Sequence, residues 1–199
     1  MQNWLEKDYP LIQKKAKAEN GLIYWGDETG LRSYDAVGRS YGRVGKTPVI
    51  PGTGQRFGCN IISAINNRGQ LHFMVFKVRF DNEVFLGFIQ RLVRQIKRKI
   101  FLIVDSHPVH HAIAVHRWIE KHPEQIRLHF LPGYSPELNP DELLNQDVKS
   151  NAVGRKRAKN QKELLANTRG YLRSRQRQPH IVKRYFEEIH VCYAAVESI

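Results

Sequence analysis

The chain has 199 residues, of which 41% are hydrophobic and 26% are charged, which is typical of a folded domain with a substantial core. Its net charge is +13, and residues 149–184 contain twelve Lys and Arg but a single acid, which indicates a polyanionic partner such as nucleic acid. Two distant cysteines exclude a disulfide framework, and the absence of a long apolar run or a secretory signal leads us to expect a cytoplasmic protein that does not enter membranes.

The first 33 residues predict a helix or linker followed by a strand. Residues 1–20 carry mixed charge, and three apolar side chains are expected to dock them on the domain: Trp4, Leu5 and Leu11. In residues 21–33, every second side chain of a strand points the same way, which places Asp27 on one face with Trp25. Asp27 is then a carboxylate among otherwise buried neighbours.

The middle of the chain predicts a hairpin, a helix and a buried strand. Residues 57–65 and 70–80 are expected to be strands joined by the turn Asn-Asn-Arg-Gly. The clearest helix follows, with apolar side chains on one face: Phe85, Phe88, Ile89, Leu92, Val93 and Ile96. Residues 100–104 are wholly apolar, which is typical of a strand covered on both faces.

The last part predicts a helix over 111–121, a strand over 126–131, a helix over about 140–151 and a further helix from Gln161. The inward side of this final helix holds Leu164, Thr168, Tyr171 and Leu172. Its outer side is expected to present a basic ridge of Arg169, Arg173 and Arg177.

This order of elements predicts an α/β fold. An antiparallel meander followed by strand–helix–strand units gives a mixed five-stranded sheet with helices on its faces. If the strand at 21–33 lies beside the strand at 100–104, Asp27 and Asp105 come side by side at one edge of the sheet.

Asp27 ends an apolar run, and its position needs an explanation. A carboxylate that faces a core without a partner costs several kcal/mol, so it requires a cation, hydrogen-bond donors or a function. Two other interpretations stay open: Asp27 pairs with an arginine, or Glu28 is the functional acid.

Asp105 ends the strand at 100–104 and begins a histidine-rich segment. Ligand-binding residues collect at the carboxyl ends of such strands, although Asp also serves as a helix cap. The segment lacks the cysteines and the ligand spacing of a structural zinc site. We expect His110 or His111 to contact phosphate or to orient a site carboxylate, and the role of the cluster with His107 stays open.

Glu142 follows the sequence Asn139-Pro140-Asp141, which is a strong helix-start signal and alone accounts for a Glu at this position. The loop at 131–138 nevertheless has the sequence of a rigid loop, which indicates that it holds the following helix in one fixed position. Asp141 and Asp147 are competing acids, and Asp147 lies about 140° around the helix from Glu142. We select Glu142 as the functional acid.

Two carboxylates at strand ends and a third at a helix start can hold a pair of hard divalent cations. On so basic a chain, the natural substrate is a phosphodiester, which predicts a metal-dependent DNA-processing enzyme. The segment SYGRVGKT at 40–47 lacks the first glycine of a nucleotide-binding loop and is followed at once by Pro48, which excludes that motif. Its basic residues are expected to contact phosphates instead: Arg39, Arg43 and Lys46.

Three motifs resemble the catalytic domain of IS630-type insertion-sequence transposases, which are bacterial relatives of the Tc1/mariner group. They are WGDETGLRS at 25–33, FLIVDSHPVHH at 101–111 and LPGYSPELNPDELLNQDVK at 131–149, of which the third is the most specific. The resemblance extends from about Tyr9 to the C-terminus. It places the three acids of that family on Asp27, Asp105 and Glu142.

The resemblance implies an RNase H-like catalytic domain over 21–151, preceded by a linker or helix at 1–20 and followed by a basic helical extension at 152–199 packed on the same domain. It implies two Mg²⁺ or Mn²⁺ ions on the three acids, supported by Glu28, His110, His111 and Asn139. The implied reaction is cleavage of DNA at the ends of an insertion sequence and transfer to target DNA. Side chains expected to hold phosphates without reading sequence are Arg39, Arg43, Lys46, Arg155, Lys156, Arg157, Arg169, Arg173 and Arg177.

Two departures from the family pattern qualify this interpretation. Ser106 stands where the family often has Asn, and the chain begins almost directly before the catalytic domain, so we expect the usual N-terminal helix-turn-helix to be absent. The expected protein partners are a second copy of the chain or a separate helix-turn-helix subunit. The alternatives are a truncated, non-catalytic DNA-binding remnant and an RNase H-like nuclease with a cellular role. The resemblance also implies a bacterial protein that is nucleoid-associated when bound to DNA.

Overall fold

The computed structural model describes residues 1–35, 41–46, 54–133, 135–154 and 157–195. Within these residues, a single sheet has the strand order β3-β2-β1-β4-β5. The strands are β1 (Leu22–Arg32), β2 (Gly58–Ile65), β3 (Leu71–Phe76), β4 (Ile100–Val104) and β5 (Ile126–Phe130). The prediction of a mixed five-stranded sheet flanked by helices is confirmed.

The central strand β1 joins the two halves of the sheet. It pairs antiparallel with β2 on one side and parallel with β4 on the other. All five residues of β4 are buried, as its composition predicts. The register aligns Trp25 with Ile103, so Asp27 and Asp105, each two residues further along, lie at the same edge of the sheet.

Helices cover both faces of the sheet. They are α1 (Tyr9–Ala18), α2 (Asn82–Gln95), α3 (Ile113–Glu120), α4 (Asp141–Val148), α5 (Gln161–Gln176) and α6 (Pro179–Arg184). One face, which includes Trp25, packs against α1, α4 and α5, and the opposite face, which includes Tyr24, packs against α2 and α3. This alternation follows the two-residue period of a strand. No helix in the described ranges is long and apolar enough to cross a membrane.

The N-terminal segment docks through a different set of residues from the one predicted. Trp4 is buried as expected, but Leu5 and Leu11 are 38% and 55% exposed, so the prediction for these two residues is wrong. The buried stripe of α1 consists of Tyr9, Ile12 and Ala16. Its spacing of i, i+3 and i+7 follows the helical period, which leaves Leu11 on the solvent side.

Two predicted elements have different bounds. The helix expected over 111–121 begins as a 3₁₀ turn at Pro108–His111, and α3 starts only after Ala112, whose extended backbone (φ −61°, ψ 136°) separates the two. Strand β3 ends at Phe76, before the predicted end, and the chain then turns into α2. The side chain of Asp81 caps this helix by accepting a backbone N–H at 2.9 Å. This capping residue marks where α2 begins.

Asp147 connects α4 to the C-terminal helices. Its carboxylate accepts hydrogen bonds from Arg175 Nε at 2.7 Å, from the Tyr171 hydroxyl at 2.7 Å and from the Tyr185 hydroxyl at 2.6 Å. Burial raises the pKa of Asp147, but these donors outweigh it and hold the pKa below its ordinary value. One anion therefore organises three side chains from two later segments of the chain.

We predict that Asp147→Asn destabilises the fold by about 2 kcal/mol, because hydrogen bonds to a charged group are worth roughly 1.5–3 kcal/mol. For a chain of this size, the melting temperature should fall by roughly 4–8 °C in thermal unfolding monitored by circular dichroism. The exposed acid Glu124 is the matched control, since Glu124→Gln should change the stability by less than about 0.5 kcal/mol.

The effect should also depend on pH. Because the pKa of Asp147 is lower in the folded chain than in the unfolded one, its contribution is complete above about pH 4 and is lost as the pH falls through the folded-state value. Chemical unfolding at neutral and at acidic pH should therefore show a smaller difference between wild type and Asp147→Asn in acid. A difference that grows in acid would contradict this assignment.

Candidate active site

A cavity of about 440 Å³ lies at the end of β4, beside the middle of β1. Asp27, Asp105 and Glu142 all line this cavity. Its other walls come from the segment that follows Asp105 and from the loop that leads to α4. Folding therefore gathers three acids that are far apart in the sequence around one space.

Asp27 projects from β1 and is almost completely buried, with 9% of its surface exposed. Its Oδ2 accepts a hydrogen bond of 2.8 Å from Asn145 Nδ2 of α4, and it forms no ion pair among the described residues. Burial, together with the negative charges of Glu142 and the neighbouring acids, raises the pKa of Asp27 well above its ordinary value. The described residues therefore do not support the alternative interpretation, in which Asp27 pairs with an arginine.

Asp105 follows β4 and is held by the histidine-rich segment. Its Oδ1 accepts the backbone N–H of His107 at 3.1 Å. Nδ1 of the buried His110 lies 3.0 Å from both this Oδ1 and the backbone carbonyl oxygen of Asp105. Burial raises the pKa of Asp105, but the bonds from His110 and His107 bring the pKa below its ordinary value. The side chain that caps the next turn is His107, which accepts the Val109 N–H, so Asp105 does not serve as that cap.

Glu142 lies in the first turn of α4, yet it does not form the reciprocal bond of a capping box. The backbone N–H of Asn139, which that bond would use, donates instead to Pro136 O at 2.9 Å. Asn139 Oδ1 accepts the Asp141 N–H, and Asn139 Nδ2 donates to Gly26 O at 3.2 Å. Asn139 therefore ties the start of α4 to β1 and leaves the Glu142 side chain to face the cavity.

The two competing acids of α4 point elsewhere. Asp141 is fully buried and its Oδ2 accepts a hydrogen bond of 2.7 Å from Ser63 Oγ of β2, while Asp147 binds Arg175. Burial raises the pKa of Asp141 well above its ordinary value, despite the Ser63 bond. The contacts of Asn145 and Asp141 were not predicted from the sequence. Asp141 and Asn145 are four residues apart, so they lie on one face of the helix that also carries Glu142. This spacing is the feature of the sequence that could have indicated their contacts.

Glu28 and His111, predicted to support the acids, lie in different surroundings. Glu28 projects from the opposite face of β1 from Asp27, and its Oε2 is buried without a hydrogen-bond partner among the described residues. Burial raises the pKa of Glu28, while the nearby His107 lowers it. His111 is exposed, and its ring stacks on Phe130 with centroids 4.2 Å apart, so its contact is an aromatic one.

The predicted DNA-contacting side chains are placed unevenly. Arg43 and Lys46 are exposed, and Arg157 is partly buried. The ridge residues are also exposed, with Arg169 and Arg173 on α5 and Arg177 directly after its end. Three further predicted residues lie outside the described residues: Arg39, Arg155 and Lys156.

The donor chemistry of the cavity fits a hard divalent cation. Three carboxylates supply the oxygen ligands that Mg²⁺ and Mn²⁺ prefer, and their mutual repulsion around Asp27 favours a positive charge between them. In the described part of the chain, however, no three acidic, His or Cys side chains already stand as ligands of one point.

Comparisons with known proteins agree with this architecture. A family model described as DDE superfamily endonuclease matches residues 22–165. No curated protein sequence matches the chain.

Three similar solved structures come from one transposase. The structure of a pre-cleavage Mos1 transpososome is 16% identical, with a TM-score of 0.66, and the match covers 98% of this chain and 63% of that one. The Mos1 mariner paired end complex with Mn is 15% identical, with a TM-score of 0.62 and coverage of 93% and 60%. The catalytic domain of Mos1 mariner transposase is 14% identical, with a TM-score of 0.57 and coverage of 96% and 92%. At such identities the likeness establishes the fold, which confirms the RNase H-like class.

We predict that Mn²⁺ raises the melting temperature of the chain, because a cation bound by the folded state alone stabilises it by mass action. In Asn145→Ala, Asp27 loses the donor that fixes its carboxylate, so the Mn²⁺ concentration at half-maximal stabilisation should rise by about ten-fold. Differential scanning fluorimetry over a Mn²⁺ series measures this midpoint.

Gln146→Ala is the matched control, since the next residue of the same helix is exposed and does not line the cavity of the three acids. It should keep the wild-type midpoint. Equal midpoints for Asn145→Ala and wild type would show that the bond to Asp27 does not orient a ligand.

Proposed function

Because the chain belongs to the DDE superfamily endonuclease family, we propose that it is the catalytic domain of a transposase that cuts DNA and joins the cut ends to a target. The three motifs of the sequence favour an insertion sequence of the IS630 type as the mobile element. The matched full-length structures are longer than this chain, which covers 63% of the pre-cleavage Mos1 chain. End recognition by the whole protein is therefore outside this proposal.

One observation carries the proposal: β1, β4 and α4 present Asp27, Asp105 and Glu142 to a single cavity. Three acids around one space are a costly arrangement in a folded protein, since like charges in a low dielectric repel each other. A site that brings them together on a chain of net charge +13 fits a reaction on an anionic substrate assisted by cations.

We propose Asp27, Asp105 and Glu142 as the ligands of two Mg²⁺ or Mn²⁺ ions. One of the matched structures is a paired end complex with Mn, which supports this choice of metal by analogy. When bound, such ions polarise the scissile phosphate and lower the pKa of an attacking water or hydroxyl group.

The side chains around the acids then have positioning roles. Asn145 fixes the carboxylate of Asp27 through its 2.8 Å bond, and His110 fixes that of Asp105 from a buried position. Asn139 holds the start of α4 against β1, which sets the distance of Glu142 from the other two acids. These contacts hold the three carboxylates in place around the cavity, where they would serve as ligands of the cations.

DNA would reach this site along an exposed basic surface. Arg43, Lys46 and the ridge Arg169, Arg173 and Arg177 present cations to solvent and can contact phosphates of any sequence. We therefore expect binding by this chain to be weakly sequence-selective and to weaken steeply with salt.

The proposal predicts that Asp105→Asn abolishes metal-dependent cleavage while the fold persists. Asn has the same size, but it lacks the charge that a cation ligand needs, so the rate should fall at least about 100-fold. Nicking of a supercoiled plasmid in Mn²⁺ and strand transfer of precut element ends measure the two activities. Asp27→Asn and Glu142→Gln should behave alike.

The exposed acid Glu124 again supplies the control, and Glu124→Gln should keep both activities. Equal cleavage by wild type and Asp105→Asn would overturn the proposed mechanism. Nicks without joined products would favour a nuclease, and DNA binding without either product would favour a non-catalytic partner subunit.

A further inference from the structure

A second and larger cavity, of about 750 Å³, lies beside the three acids. It is an open groove built where β1 and β2 extend past the level of Asp27 and where the chain leaves β3. Among the described residues, this groove contains none of those predicted from the sequence to bind DNA, and α5 contributes only its first residue, Gln161.

The groove is strongly basic. Of the described residues, four cations line it against one carboxylate, that of Glu28: Arg32, Arg56, Lys77 and Arg79. All four are exposed, and within the described ranges none of them forms an ion pair. Cations that are gathered in a concave surface without anionic partners attract a polyanion more strongly than cations scattered over a convex one.

The Arg32 side chain is held in a defined position on the floor of this groove. Its side chain lies over Gly30 and Gly58, where an added Cβ would come within 3.1 Å and 2.9 Å of Arg32 atoms. Arg32 Nη1 donates to Leu31 O at 3.3 Å and to Asn60 Oδ1 at 3.4 Å. The two glycines therefore leave the space that the Arg32 side chain occupies.

An aromatic side chain stands at the edge of the groove. Tyr34 lines it and is 59% exposed. Exposed aromatic rings beside cations are the combination that binds single-stranded nucleic acid, since bases stack on the ring while the cations hold the phosphates.

The groove and the cavity of the three acids share a wall. Glu28 lines the groove and is the chain neighbour of Asp27, which lines the cavity. Phe80 also lines the groove, and its ring centroid lies 5.7 Å from that of His107, a residue of the cavity. The groove and the cavity of the three acids are therefore neighbours on the protein surface.

We propose that this groove binds unpaired DNA next to the scissile phosphate, with Arg32, Arg56, Lys77 and Arg79 on the phosphates and Tyr34 stacked on a base. The assignment rests on the proposed function, since it takes the scissile phosphate to lie at Asp27, Asp105 and Glu142. It adds to that function a location for the strand that flanks the cut.

The test is a binding measurement in EDTA, in which no cleavage is needed. The probe is a fluorescent DNA hairpin that carries an oligothymidine overhang of increasing length at its 3′ or its 5′ end. For wild type, the affinity from fluorescence anisotropy should rise with the length of one of the two overhangs and then level off. The same hairpin lengthened by paired bases should not show this gain.

The triple variant Arg56→Gln, Lys77→Gln and Arg79→Gln should lose most of the gain, about ten-fold in affinity, and its salt dependence should become shallower by about 2 in logarithmic slope. Tyr34→Ala should lose about ten-fold without a change in slope. The matched control removes three exposed cations elsewhere, Lys97→Gln, Arg117→Gln and Lys121→Gln, and should keep the gain.

The inference is overturned if neither overhang increases the affinity, if paired extensions increase it equally, or if the control triple loses as much as the groove triple. Failure of the proposed function has a different signature. In that case wild type shows no Mn²⁺-dependent cleavage, whereas the overhang gain and its loss in the groove triple are measured independently of cleavage.

Discussion

The geometry of the candidate active site depends on the attachment of α4 to the neighbouring strands β1 and β2. Three side chains of this short segment make buried hydrogen bonds across to the sheet: Asn139 to Gly26 O, Asp141 to Ser63 and Asn145 to Asp27. Each bond connects a polar group that would otherwise be costly to bury, so the three together define one position for the helix. Glu142 lies between them in the sequence, and its place beside the other acids follows from theirs.

The same helix serves two sides of the molecule. On the side of the sheet it holds Glu142 and Asn145 near Asp27, and on the other side Asp147 binds Arg175 and two tyrosines of the C-terminal segments. The C-terminal segments therefore do more than add positive charge, because they fix the helix that carries the third acid. This coupling explains how a basic helical region belongs to the same folded unit as the cavity.

The sequence predicted the parts of the site that depend on local pattern. Asp27 follows an apolar run and Asp105 follows β4, and the parallel pairing of β1 with β4 brings them close together. The prediction that Asp27 stands at a strand end was wrong, because β1 continues to Arg32 by pairing with β2. The sequence led to the selection of Glu142 over the competing acids Asp141 and Asp147. It did not predict the donor role of Asn145, because that role depends on how the helix is rotated against the sheet. It also assigned Leu11 to the core, since an isolated apolar residue in a helix does not reveal which stripe is buried.

The charges around the site are ordered in space, and this order constrains how a phosphodiester approaches. The cavity presents three carboxylates, whereas the adjoining groove presents four cations and one carboxylate. Under the proposed function, the strand that flanks the cut is attracted by the groove without any metal, while the scissile phosphate is repelled by the acids until cations lie between them. Glu28, Phe80 and His107 form the boundary between the negatively charged cavity and the positively charged groove. Under the proposed function, a phosphate at this boundary is bound before cations make it reactive. Binding of the strand and its cleavage are then separate steps.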